Sequence, residues 1–184
     1  MTMADPAPEF SVEVDLDSIG DEPRQIDLKA NPDEKAALAR RFGLISIESL
    51  EAHLVLAWLK PGWILSVSGR ISANVTQSCV ISLDPVPAII AEEVDIVLAR
   101  DSADTDGIVD PEDVETLEGD SLDIGEIAAE ELSLSLDPYP RHPDLDPAAL
   151  ELGPGASLVT EEQAAATPKR PNPFDVLADL KAKN

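Results

Sequence analysis

The stretch Lys60-Pro61-Gly62-Trp63-Ile64-Leu65-Ser66-Val67-Ser68-Gly69-Arg70-Ile71-Ser72-Ala73-Asn74-Val75-Thr76 decides the fold. Lys60-Pro61-Gly62 is a turn signal, because Pro presets φ and Gly relaxes it. Beyond the turn, Trp63, Leu65, Val67, Ile71, Ala73 and Val75 alternate with Ser66, Ser68, Arg70, Ser72, Asn74 and Thr76. Successive strand side chains point to opposite faces, so this period of two predicts a strand with one buried and one solvated face. Gly69 is the place for a bulge. Before the turn, Leu50, Ala52, Leu54, Leu56 and Trp58 alternate too, although Leu50, Leu54 and Trp58 also fit a helical stripe. A strand directly across a tight turn favours the hairpin.

Upstream, Asn31-Pro32-Asp33-Glu34 reads as a helix start. Asn31 can cap, Pro32 suits the first helical position, and Glu34 completes a capping box. Leu38 and Phe42 share a face, and Gly43 is a natural stop. Further upstream Phe10, Val12, Val14 and Leu16 alternate with acids and Ser11, which predicts another half-buried strand. Downstream, Val80-Ile81-Ser82-Leu83 reads as a short strand, Asp84-Pro85 as a turn, and Val94, Ile96 and Leu98 as a further strand. Asp123 can cap a second helix whose apolar face is Ile124, Ile127, Ala128, Leu132 and Leu136, ended by Asp137-Pro138. The expected class is therefore α+β: a mostly antiparallel sheet, open or curled toward a barrel, with two or three short helices and an acidic loop.

Composition draws the boundaries. Residues 1–7 are expected to be disordered, and residues 8–140 to form the α+β core. No positive charge lies between Arg100 and Arg141, and the acids crowd into 101–120. Such a run repels itself, so a mobile loop is expected there. Residues 141–171, rich in Pro, Ala and Glu, read as a linker. Asn172-Pro173 then restarts an amphipathic helix over 172–184, with Phe174, Leu177 and Leu180 on one face.

Thirty-seven acids against thirteen Lys and Arg give a net charge of −24. A chain held to nucleic acid by phosphate contacts presents a basic patch. This one repels polyphosphate at long range and attracts basic partners. Arg141-His142 and Lys169-Arg170 are the basic islands of the second half. The lone Cys79 cannot form an internal disulfide. Cys79, His53 and His142 lie in unrelated segments, so neither a metal site nor a cofactor is expected. A Cys79–His53 pair is the one nucleophile–base combination to weigh, and His53 falls on a solvated face. No glycine-rich phosphate loop occurs. Met1–Phe10 lacks the basic and apolar regions of a signal peptide, and no apolar run reaches the ~18 residues of a membrane span. A cytoplasmic protein that engages no membrane is expected.

Three stretches resemble one family. They are Val75-Thr76-Gln77-Ser78-Cys79-Val80-Ile81-Ser82-Leu83-Asp84-Pro85, then Asp123-Ile124-Gly125-Glu126-Ile127 through Leu136-Asp137-Pro138-Tyr139-Pro140, then Asn172-Pro173-Phe174 with Leu177, Ala178, Leu180 and Lys181. In order and spacing they resemble the YceD family of large ribosomal RNA subunit accumulation proteins. The resemblance implies a role in ribosome assembly and no enzymatic activity. Many members carry Cys-x-x-Cys where this chain has Thr76-Gln77-Ser78-Cys79, so a two-cysteine metal or redox role is unsupported here. Two mechanisms follow. A polar surface around Arg70, Asn74 and Gln77, with Arg141 and His142, meets large-subunit rRNA; or the acidic surface holds a basic ribosomal protein. Electrostatics favours the second. The rivals are a generic acidic adaptor, docking through Phe174, Leu177 and Leu180, and an enzyme with a reactive Cys79.

Overall fold

The computed structural model describes residues 8–100 and 114–145. The expected disordered start (1–7), the first part of the acidic run (101–113), and residues 146–184 with the terminal helix lie outside the described residues. The elements are β1 (Glu13–Asp15), β2 (Arg24–Lys29), α1 (Pro32–Phe42), β3 (Ser46–Lys60), β4 (Ile64–Ser78), β5 (Pro85–Ala99), β6 (Val114–Thr116), β7 (Ser121–Asp123) and α2 (Ile124–Leu134).

The hairpin forms as its pattern dictates. β3 and β4 pair antiparallel from Ser46 opposite Thr76 to Lys60 opposite Ile64. Gly62, at φ 73°, supplies the left-handed turn residue. Irregularities fall on β3, between Ile47 and Ser49 and between Trp58 and Lys60. None falls at Gly69, so the expected bulge is corrected. Gly69 (φ 150°) is instead a site of close approach, where an added Cβ would collide with the His53 backbone carbonyl.

β2, β3, β4, β5 and β6 lie in that order in one sheet, antiparallel except for the parallel β5–β6 pair. The sheet stays open. β1 and β7 make a separate two-stranded ribbon. α1 packs along β3, and α2 against β4, β5 and β1. Leu38, Leu50, Leu54, Leu56, Leu65, Val67, Ile71, Ile124 and Leu132 join one buried cluster. Burying such side chains contributes about 1.5–3 kcal/mol each, which makes this aliphatic layer the main stabiliser. Both helices start as expected. Asn31 Oδ1 accepts from the N–H groups of Asp33 and Glu34, and Glu34 Oε2 accepts from Asn31 N at 2.7 Å.

Three expectations change. Val80–Leu83 is a turn, not a strand: Leu83 N donates to Cys79 O at 3.0 Å, Cys79 N to Asp84 O at 2.8 Å, and Leu83 sits at φ 64°. Pro85 opens β5 rather than ending a turn, and β5 begins well before Val94. Within the acidic run, Val114–Thr116 pairs with β5, and buried Leu117 donates to Ala99 O at 2.7 Å. The described part of that run is thus tied down. Among the described residues no helix is long and apolar enough to cross a membrane.

Candidate functional site

Two surfaces collect the residues that the sequence singled out. The first is the solvent-facing side of the sheet. β4 presents Ser66, Ser68, Arg70, Ser72, Asn74 and Thr76 there, while Leu65, Val67, Ile71, Ala73, Val75 and Gln77 point the other way and are buried. Arg70 and Asn74 therefore share a face and Gln77 does not. Gln77 is 7% exposed, and its Nε2 donates to Asp137 O at 2.9 Å. Asn74 Nδ2 donates to Ser49 Oγ at 2.9 Å.

Charges on this face come in pairs. Lys29 Nζ lies 2.7 Å from Glu51 Oε1, His53 Nδ1 is 2.7 Å from Asp27 Oδ1, and Arg70 Nη2 is 3.4 Å from Glu93 Oε1. Cross-strand registry makes these pairs, since Lys29 faces Glu51, Asp27 faces His53, and Arg70 faces Glu93. The hydrogen bond to Glu51 raises the Lys29 pKa, and the same contact lowers that of Glu51. Lys29 and Arg70 each already have an acid beside them, so a phosphate would have to displace a carboxylate. Surface ion pairs are weak, so displacing one costs little, but each neighbouring carboxylate lowers the local potential that a phosphate meets.

The second surface lies at one end of the molecule, where two stretches far apart in sequence meet. After β4 the chain turns at Cys79–Asp84, and the segment leaving α2 crosses it. Val80 N donates to Pro140 O at 2.9 Å, and His142 N to Cys79 Sγ at 3.4 Å. Ser82 N also donates to Cys79 Sγ at 3.4 Å. These donors, with the Ser82 side chain first and the Ser82 and His142 backbones next, push the Cys79 thiol down to about 6. The side chain has no exposed surface. The sulfur is thus a buried acceptor that ties the turn to the crossing segment, and the cradle is largely backbone N–H. His53 pairs with Arg70 midway along β4, whereas Cys79 lies past its end. The structure does not bring the two together as nucleophile and base.

Beside this junction is a hollow of about 320 Å³ between Phe42, Leu44, Gln77, Val80, Leu136 and Pro140. Asp137 is its one titratable wall residue. Among the described residues no three His, Cys, Asp or Glu side chains converge to hold a metal ion. Arg141 is exposed and His142 half-buried. Phe174, Leu177 and Leu180 lie outside the described residues. Around the junction Val80, Leu83, Leu134 and Tyr139 are exposed, Leu83 at 73%.

Asp123-Ile124-Gly125-Glu126-Ile127 does structural work. Asp123 Oδ1 accepts from Val12 N (2.9 Å), Gly125 N (3.0 Å) and Glu126 N (3.1 Å). A Cβ on Gly125 would lie 2.6 Å from Phe10 O, so glycine lets the backbone leading into β1 lie against the helix. Glu126 binds the Arg41 guanidinium through both oxygens, at 2.9 and 2.5 Å. Sequence reading found the cap but not the partners across the chain, because period and capping signals are local.

The family described as large ribosomal RNA subunit accumulation protein YceD matches residues 67–181 of the chain. That span takes in β4 from Val67 onward, the Cys79 turn, β5 and α2. No curated protein and no solved structure matches the chain.

Proposed function

The chain belongs to the YceD family of large ribosomal RNA subunit accumulation proteins, and from that premise we propose that it sustains large-subunit rRNA by holding a basic ribosomal protein during assembly, with no chemistry of its own. One observation carries the choice of a protein over RNA as the direct partner: on the solvent-facing side of the sheet Lys29 and Arg70 are each matched with an acid, on a chain of net charge −24. Lys and Arg that contact phosphate gain affinity because the counterions condensed on RNA are released into solution. A basic protein gains from the same field that repels RNA. The Cys79 cradle does not favour an enzyme, because a sulfur without exposed surface meets no substrate. Depletion in cells tests the role: large-subunit rRNA should fall relative to small-subunit rRNA, and unchanged subunit profiles would argue against it. Recovery of basic large-subunit proteins on the immobilised chain, lost at high salt but resistant to nuclease, tests the mechanism.

A further inference from the structure

The two edges of β5 differ. Along one, β5 pairs with β4 for its whole length, from Pro85 opposite Ser78 to Ala99 opposite Ile64, without irregularity. Along the other, among the described residues, only Val97–Ala99 are paired, with β6. A strand residue sends its N–H and C=O to one side, and the next residue sends them to the other. Ala99 offers its carbonyl to Leu117 on the β6 side, whereas Arg100 N reaches Trp63 O, across the hairpin end of β4. Stepping back in twos, Asp95, Glu93, Ala91 and Ile89 direct their N–H and C=O away from β4. Pro87 and Pro85 share that parity, so the N–H each lacks is one that the β4 ladder never needs.

An unpaired edge invites association, and charge is one way to blunt it. Glu92 and Asp95 put negative charge on this edge, beside Glu93, which is shared with Arg70. Glu92 has the parity of buried Ile90 and Val94 yet is exposed, an inward-facing acid at the rim. Two copies pairing edge to edge would set these carboxylates against one another. A strand with Lys or Arg at alternate positions meets attraction there instead. Ile89, 85% exposed, adds an apolar contact at the same edge. A hollow of about 390 Å³ beside it, lined in part by Ser49, Ser72, Asn74 and Ala91, leaves room for a side chain.

We infer that the edge of β5 left unpaired among the described residues, Ile89–Asp95, is where an extended basic segment of the partner protein docks, adding a strand to the sheet. This rests on the proposed basic ribosomal protein and names the surface that holds it. The test uses the full chain, isotope-labelled, with a synthetic peptide alternating Lys and Val as the probe. Bound peptide should slow amide exchange at Ile89, Ala91, Glu93 and Asp95, and its affinity should fall with salt. Ala91→Pro removes one outward N–H and spares the β4 ladder. It should weaken the peptide about tenfold or more, with the thermal midpoint kept. If that variant fails to fold, Glu92→Lys with Glu93→Lys carries the test, and should shift preference to an alternating Glu–Val peptide. No binding, protection at other amides, or an Ala91→Pro protein that binds equally well would overturn the assignment. RNA-free proteins of the large subunit separate the two readings. Capture by neither wild type nor Ala91→Pro sinks the protein-holding function, and equal capture by both sinks the β5 edge alone.

Discussion

Asp123→Ala should be among the most damaging single changes outside the core. One carboxylate oxygen accepts from Val12 N at 2.9 Å, Gly125 N at 3.0 Å and Glu126 N at 3.1 Å. Two of these donors belong to the first turn of α2, and losing a helix cap of this kind costs about 0.5–2 kcal/mol. The third belongs to the backbone leading into β1. A part-buried N–H left without a partner costs about 1–3 kcal/mol more. The sum, allowing for partial access of water to the helix donors, is about 2–4 kcal/mol. For a domain of this size that lowers the melting temperature by roughly 10 °C. Asp123→Asn keeps the accepting oxygen and loses only the attraction of a charge for the helix N-terminus, about 0.3–1 kcal/mol. Thermal unfolding by circular dichroism gives both values, and amide exchange at Val12 reports the cross-chain bond directly. An Asp123→Ala protein within about 0.5 kcal/mol of wild type, or an Asn variant as damaged as the Ala variant, would refute the reasoning.

Gly69→Ala places a Cβ against the His53 carbonyl, so the β3–β4 ladder must shift; a loss of about 2–4 kcal/mol in urea unfolding is expected, and a neutral result would contradict the close approach. The Cys79 thiol, held down to about 6 by Ser82 and His142 donors, should titrate far below an ordinary cysteine yet label slowly, and Ser82→Ala should raise its midpoint in thiolate absorbance. Because the folded value is depressed, this group adds stability that is full above about pH 9 and lost as pH falls through about 6; melting curves without that trend would count against the cradle. Burial first, then Glu126 and Glu115, raises the Glu130 pKa, and burial, Glu115 and Glu130 raise that of Glu131. A raised carboxyl favours the fold at low pH and loses that favour as pH rises, so Glu130→Gln should raise the melting temperature at pH 7 but not near about pH 4.

What the sequence revealed and what it hid have physical causes. The β3–β4 hairpin and both helices announce themselves because alternation, caps and turn residues are local signals, and one aliphatic face buried on one layer enforces them. β2 escaped notice because Ile26 and Leu28 are too few apolar residues to set a period. β5 is cut short in the sequence because Asp84-Pro85 reads as a turn, whereas Pro85 and Pro87 both lie in the strand. They are tolerated where their missing N–H faces away from β4, and edge status is a tertiary property. The Val80–Leu83 run looked like a strand because its residues are apolar; Cys79 and the segment leaving α2 bend it into a turn. Arg70 and Asn74 fell on the expected face. Gln77 did not, because it lies an odd number of residues from Arg70 and a polar side chain hides its parity. The meeting of the Cys79 turn with Asp137–His142 had no signal at all, since it joins segments that are distant in the chain.

The most direct test of the central claim is a binding comparison at low salt, with the purified full chain offered naked large-subunit rRNA on one side and RNA-free large-subunit proteins on the other. A sheet whose Lys29 and Arg70 are already matched with acids, on a chain of this charge, should retain basic proteins and let the RNA pass. Tight retention of the RNA without any protein present would contradict it.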